Sequence, residues 1–166
     1  MPTTTTTAGV TAVLRALHDG ERALERDLLA AAERHRPDHG VHHVATDLAR
    51  WSHEHTAGLA EYGRGRGVDL SGQHAFGVLA GLREKTAEAL GRRPEPGLLL
   101  LHDLRDLQLA AARNSLHWEM LGQAAQALRD EELLALVSSC HPQTLRQMRW
   151  TNTMIKEQAP QLLSAV

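Results

Sequence analysis

Residues that could do chemistry interrupt each of four otherwise apolar helical stripes of the sequence. They are Glu21, His55, Asn114 and His141, with His117 one position away from the third stripe. The candidate ligands among them are Glu21, His55, His117 and His141. One carboxylate with two or three imidazoles is a suitable ligand set for zinc or another divalent transition metal. The functional question is therefore whether the fold brings these side chains to one place.

Their distances from two short turns predict a common depth in the fold. Residues equally far from a tight turn lie at the same level on the two arms of a helical hairpin. Glu21 and His55 are each about 17 residues, or roughly 26 Å along a helix, from a turn centred near residue 38. His117 and His141 are each about 12 residues, or roughly 18 Å, from a turn centred near residue 129. With the two turns at opposite ends of a bundle, all four side chains would meet.

Two interpretations of this polar set stay open. A buried polar group without a partner costs roughly 1 to 3 kcal/mol, so the set either binds a metal ion or satisfies itself through hydrogen bonds. For a metal site the ligands would be Glu21, His55, His117 and His141, with Glu25 and Asn114 as substitutes if a helix is rotated. We expect no cofactor, with one divalent transition metal as the alternative. In either case we expect Glu21 and His55 to lie within reach of a hydrogen bond or a shared water.

Four long amphipathic helices must position these side chains. Ala, Leu and Arg dominate the sequence while β-branched and aromatic residues are few, which predicts an all-α protein with almost no strand. Spacings of three and four define one apolar face on each helix. The predicted stripes are Val10, Leu14, Leu17, Glu21, Leu24, Leu28 and Ala32; Val41, Val44, Leu48, Trp51, His55, Leu59 and Tyr62; Leu104, Leu107, Ala111, Asn114, Trp118, Leu121, Ala125 and Leu128; and Leu134, Val137, His141, Leu145, Met148, Asn152 and Ile155.

Turn-forming and capping residues mark the ends of these helices. The segments "RPDHG" at 36–40 and "GRGRG" at 63–67 end the first and second helices, and Asp130 is a candidate cap for the fourth. Within the fourth helix, Pro142 predicts a kink or a restart, and Pro160 predicts its end.

A long connection separates the second helix from the third. Residues 68–97 contain one shorter amphipathic piece, "AFGVLAGLREKTAEAL", which predicts an accessory helix. A connection of this length can return the chain along the whole bundle, so we expect helices 2 and 3 to run parallel, in the order up-down-down-up. The predicted organisation is a flexible lead-in at 1–8 and one helical-bundle domain at 9–166.

The sequence resembles the ferritin-like superfamily, and within it the small bacterial stress-associated ferritin-like proteins. The resemblance rests on "LRALHDGERALERDLLAAAERH" for the first helix, "ARWSHEHTAGLAEYGRGRGVDL" for the second, and "HWEMLGQAAQALRDEELLALV" for the end of the third and the start of the fourth. It implies a ferritin-like four-helix bundle with Glu21 at an inward ligand position. The di-iron pattern of that superfamily also requires Glu-x-x-His on two helices, and this chain has neither. The resemblance therefore implies a degenerate metal site.

Composition limits the kinds of partner. The formal net charge is −2, with 18 Lys and Arg against 20 Asp and Glu, so no general basic field exists for nucleic acid. The start "MPTTTTTAGV" is unlike a secretory signal. The one cysteine, Cys140, cannot form an internal disulfide. No apolar run is long enough to span a membrane. These features predict a soluble cytoplasmic protein that has no nucleic-acid or membrane partner.

Two further motifs have a chemical and a structural interpretation. The segment "HRPDHGVHH" places His35, His39, His42 and His43 around one turn, which could hold a surface metal or be a solvated turn. Cys140 and His141 could form a nucleophile and its base, but neighbouring helix positions diverge by about 100°, which favours a buried thiol.

Two classes of function follow from the sequence. The first is a non-catalytic ferritin-like bundle that forms a homo-oligomer or binds a protein partner. The second is an enzyme with one divalent metal held by Glu and His in the bundle core. The missing carboxylates favour the first class, and the common depth of the four polar residues favours the second.

Overall fold

The computed structural model describes residues 6–72 and 95–165, and over these ranges the regular secondary structure is helical. The four helices are α1 (Ala8–Arg34), α2 (His39–Gly65), α3 (Pro96–Leu128) and α4 (Glu131–Ser164), packed as a bundle. The accessory helix predicted between α2 and α3 lies outside the described residues.

Side-chain caps begin three of the four helices. Thr7, Asp38 and Asp130 accept hydrogen bonds from backbone N–H groups of the first turns of α1, α2 and α4. Each cap satisfies one of the N–H groups that a helix start leaves without an intrahelical partner. The sequence prediction for Asp130 is confirmed. Arg129, with φ 54°, reverses the chain between α3 and α4 in the left-handed conformation.

Cross-helix contacts fix the directions of the helices. Along α1, the contacts with α3 run from Glu21–Trp118 to Arg34–Asp103, so these helices are antiparallel. The 3.2 Å contact between Glu21 and His55 and the hydrogen bond between His42 and the carbonyl of Ala32 make α1 antiparallel to α2 as well. It follows that α2 and α3 run parallel, which is the up-down-down-up order that the long connection predicts.

A level of buried polar side chains separates the two main hydrophobic clusters of the core. One cluster packs Leu14 and Leu17 of α1 with Leu59, Trp118 and Leu133 from the other helices. The second cluster begins at the next turns, and its members include Leu24, Leu28, Ala45, Leu48, Leu107 and Ala111. Between the two clusters each helix contributes buried polar side chains rather than apolar ones.

The predicted faces of α1 and α3 are confirmed except at the last position of α3, Leu128, which is 48% exposed. The predicted face of α4 is wrong by one residue. Its buried residues are Leu133, Val137, Cys140, Thr144, Gln147 and Thr151. The prediction selected the phase with the larger apolar residues, whereas Leu145 is 46% exposed and Gln147 is buried because its amide donates to Leu48 O and Ser52 Oγ.

The prolines of α4 do not interrupt it. The helix is continuous through Pro142 and reaches Ser164, so the predictions of a restart at Pro142 and of an end at Pro160 are wrong. Pro142 is exposed, so the carbonyl that loses its hydrogen-bond partner one turn earlier lies on the solvent side of the bundle.

Candidate functional site

Each of the four helices places at least one fully buried polar side chain in the layer between the two core clusters. Glu21 on α1, His55 on α2, Asn114 on α3 and Thr144 on α4 are all 1% exposed or less. Polar groups at this depth are normally hydrogen-bonded, because an unpaired one keeps the full cost of losing its water. We define these four residues as the polar layer.

Glu21 contacts two other side chains at the level of the polar layer. Its Oε1 accepts a hydrogen bond of 2.9 Å from the indole Nε1 of Trp118 and lies 3.2 Å from Nδ1 of His55. The His55 ring meets the Trp118 ring edge-on, with centroids 5.6 Å apart and an interplanar angle of 82°. The predicted proximity of Glu21 and His55 is therefore confirmed, and Trp118 is a third member of the contact.

The other nitrogen of His55 contacts α4. His55 Nε2 lies 2.8 Å from the side-chain amide oxygen Oε1 of Gln143. Because an amide oxygen accepts hydrogen bonds, Nε2 is the donor in this contact. The imidazole of His55 therefore lies between the carboxyl group of Glu21 and the amide of Gln143.

Several atoms of the polar layer have no hydrogen-bond partner among the described residues. They are Glu21 Oε2, His55 Nδ1, Asn114 Nδ2 and Thr144 Oγ1. The contact between His55 Nδ1 and Glu21 is short enough for an ion pair but lacks hydrogen-bond geometry. Donors and acceptors from four helices that converge in this way are the usual lining of a site for internal water or a small polar ligand.

A close approach between α1 and α3 positions the amide of Asn114. A Cβ atom added at Gly20 would lie 2.2 Å from Asn114 Oδ1, so a side chain at this position would displace the amide from its place next to α1. Asn114, which the sequence offered as a substitute for His117, is thus the α3 residue that enters the polar layer.

The other predicted ligands lie elsewhere. His141 is partly exposed, and its Nε2 lies 2.8 Å from the hydroxyl of Ser115. His117 is also partly exposed, and burial together with the charge of Arg113 lowers its pKa. Glu25 faces the 70% exposed side chain of His53, at 3.1 Å from Nδ1. The structure therefore brings together Glu21 and His55 of the predicted ligand set.

Across residues 6–72 and 95–165, no group of three or more His, Cys, Asp or Glu side chains is arranged to hold a metal ion. The convergent ligand types at the polar layer are one carboxylate and one imidazole, completed by amide and hydroxyl groups. This composition suits a hydrogen-bonded core better than a transition-metal site, which prefers more imidazole or thiolate ligands.

Cys140 is a buried thiol, as the sequence predicts. Burial, together with the charges of Glu21 and Glu54, raises its pKa to about 12. At neutral pH the group is therefore a thiol, whereas a cysteine nucleophile must be a thiolate.

The sequence interpretation missed two partners in the site, Trp118 and Gln143. Apolar spacing identifies Trp118 only as a core residue. A buried indole N–H also needs a hydrogen-bond acceptor, and the inward Glu21 on a neighbouring helix supplies one. Gln143 was missed because the predicted face of α4 was rotated by one residue. The signal for the correct phase was the polar series Thr144, Gln147 and Thr151, at helical spacing.

Comparison of the chain with models of protein families, with curated proteins and with solved structures found no match. Among the helices of the described ranges, none has both the length and the apolar character that a membrane span requires.

Proposed function

We propose that this protein is a non-catalytic helical bundle that acts by self-association through the outward face of α3. The observation that carries the proposal is an apolar stripe on that face, formed by Leu109, Leu116 and Met120, which are 58%, 59% and 52% exposed. Their spacings of seven and four residues align them along one side of the helix. Contiguous apolar groups in water mark contact surfaces, because their burial is favourable.

The charges beside the stripe favour a second copy of the chain as the occupant. Arg105 lies four residues before Leu109 and Glu119 three residues after Leu116, both exposed and on the same flank of α3. Within one chain Arg105 pairs with the neighbouring exposed Asp106 at 2.9 Å, so it would share its guanidinium between Asp106 and a second copy. If the α3 helices of two copies packed antiparallel about a two-fold axis midway between Leu109 and Leu116, Leu109 of each copy would lie opposite Leu116 of the other. The same axis would bring Arg105 near Glu119 of the second copy, twice. The stripe is therefore self-complementary in shape and in charge.

Arg113 lies near this axis, at the edge of the stripe, where the guanidinium groups of the two copies would be close together. Like charges in this position weaken the contact. This feature gives the proposal a second readout, since replacement of Arg113 by an apolar residue should tighten the association.

Sedimentation velocity over a concentration series tests the proposal. We expect a reversible dimer, weakened at least about tenfold by Leu116→Glu because a carboxylate would be buried against leucine, and tightened by Arg113→Leu. Leu163→Glu, at an equally exposed leucine near the end of α4, is the matched control and should leave the dimer unchanged. Helical content by circular dichroism verifies that each variant folds. A monomer at all concentrations, or equal effects of the two Glu substitutions, would refute the proposal.

We further propose that the chain is a degenerate member of the ferritin-like superfamily. The inward Glu21 on α1 and the up-down-down-up order support this origin. Beside Glu21 the polar layer holds His55, Asn114 and Thr144, and the Glu-x-x-His pattern of that superfamily is missing from the sequence. A solved structure of a relative with both this polar layer and intact metal ligands would support the origin, and one with a different helix order would contradict it.

An enzyme with one divalent metal at Glu21 and His55 is the second candidate. The observation in its favour is the buried Glu21 Oε2, which has no hydrogen-bond partner among the described residues and belongs to a carboxylate beside an imidazole. Elemental analysis of protein made without a histidine tag separates the candidates. One equivalent of metal that is lost on replacement of His55 would favour the enzyme, and less than a tenth of an equivalent would exclude it.

A further inference from the structure

The histidine-rich segment at the start of α2 contains two imidazoles that the fold uses and two that it leaves exposed. His35 lies 2.7 Å from Asp103 through Nε2, and His42 donates from Nδ1 to the carbonyl of Ala32 at 2.8 Å. These two contacts tie the α1–α2 turn to α1 and α3. His39 and His43 are exposed and take no part in those contacts.

His39 and His43 form a pair on one side of α2. They are four residues apart, so their side chains project from the same face of the helix. Their rings are stacked, with centroids 6.2 Å apart and an interplanar angle of 14°. The His43 ring also meets the His42 ring edge-on, with centroids 5.1 Å apart. Because His39 and His43 are both exposed, rotation of each ring can direct one nitrogen of each toward a shared point, at the expense of this edge contact.

We propose that His39 and His43 form a surface chelate for a divalent transition metal ion. Two imidazoles at positions i and i+4 of a helix are a recognised pair of metal ligands, at nitrogen-to-metal distances of about 2.0–2.1 Å. Since the described residues contain no third His, Cys, Asp or Glu placed to join them in a metal site, water would fill the other coordination positions. Such an open site accepts Ni²⁺, Cu²⁺ or Zn²⁺, with Cu²⁺ the tightest of the three.

This site differs from the buried candidate at Glu21 and His55 in position, ligands and exposure. It does not depend on self-association, because α3 contributes neither ligand. The two metal hypotheses predict different responses to the same substitutions, so one titration separates them.

Isothermal titration calorimetry with Ni²⁺, on protein made without a histidine tag, tests the proposal. We expect one ion per chain and at least about a tenfold loss of affinity in His39→Ala and in His43→Ala, since each removes one of two ligands. His102→Ala, at an exposed imidazole on α3, is the matched control and should bind as the parent does. His39→Gln and His43→Gln repeat the test with a longer polar side chain if either alanine variant unfolds.

Paramagnetic broadening of the histidine ring signals by Ni²⁺ gives an independent readout. The signals of His39 and His43 should broaden first and together. Absence of saturable binding, or binding that is unchanged in both alanine variants, would overturn the proposal. Binding that is lost in His55→Ala but kept in His39→Ala would overturn it in favour of the buried site.

Discussion

At the scale of single residues, the centre of the molecule depends on one buried carboxylate. Glu21 accepts from Trp118 and faces His55, while His55 is held on its other side by Gln143. Thus α2 and α3 meet at one glutamate, and α4 joins the network through His55. A buried polar network of this kind rigidifies a core when it is satisfied and destabilises it when one member is removed.

Replacement of Glu21 by Ala should lower the free energy of unfolding by about 1–3 kcal/mol. The reason is that the indole N–H of Trp118 would stay buried without its acceptor, and the His55 ring would lose the carboxyl group that it faces at 3.2 Å. Urea unfolding followed by circular dichroism measures the effect. Glu25→Ala is the control on the same helix, and its surface pair with His53 should contribute under about 1 kcal/mol. An unchanged urea midpoint for Glu21→Ala would show that the polar layer does not stabilise the fold.

At the scale of helices, Tyr62, Arg66 and Asp130 join the end of α2 to the start of α4. Asp130 caps α4, accepts from the hydroxyl of Tyr62 at 2.7 Å, and pairs with Arg66 at 3.0 Å. The guanidinium also lies 4.8 Å from the centre of the Tyr62 ring. Although partial burial raises the pKa of Asp130, its hydrogen bonds and the charge of Arg66 outweigh burial and lower it.

The one tyrosine of the chain makes this contact measurable. Burial, together with the hydrogen bond to Asp130 and its charge, raises the pKa of Tyr62 from 10.0 to about 12. The neutral phenol should therefore stabilise the fold fully below pH 10, and this stabilisation should be lost as the pH rises through about 12. Tyrosinate absorbance after a rapid pH jump gives the midpoint. Asp130→Asn should lower the midpoint, and Glu132→Gln, which changes only the other partner of Arg66, should not. A parent midpoint at 10 would contradict this contact.

The sequence predicted the positions of the described helices along the chain better than it predicted which face of each helix is buried. Apolar spacing gave the inward faces of α1 and α3, and the two tight turns gave the level at which Glu21 meets His55. On α4 the same rule failed, because Gln147 and Thr151 occupy core positions through hydrogen bonds that apolar spacing does not register. Thr144, one turn before Gln147, is buried with them as a member of the polar layer. For that reason apolar spacing predicts His141 on the inward face of α4, whereas the structure buries Cys140 and Thr144.

At the scale of the whole molecule, the helix order leaves α3 with two apolar sides. Its inward side packs against α1 and α4, and its outward side carries the stripe of Leu109, Leu116 and Met120. A helix that carries apolar residues on two sides is usually buried on both. Each residue of the outward stripe is more than half exposed, and we propose a second copy of the chain as its cover. Self-association through this stripe is therefore the central claim about the function of the molecule.

Disulfide cross-linking between two singly substituted chains tests this claim most directly. In a Cys140→Ala background, a mixture of Leu109→Cys and Leu116→Cys chains should form a disulfide-linked dimer on mild oxidation, because the two-fold axis places these positions opposite each other. Each chain alone should cross-link much more slowly, since like positions are offset by roughly 10 Å along the helix. If the mixture cross-links no faster than the separate chains, or than a Leu163→Cys chain, the proposed contact does not form.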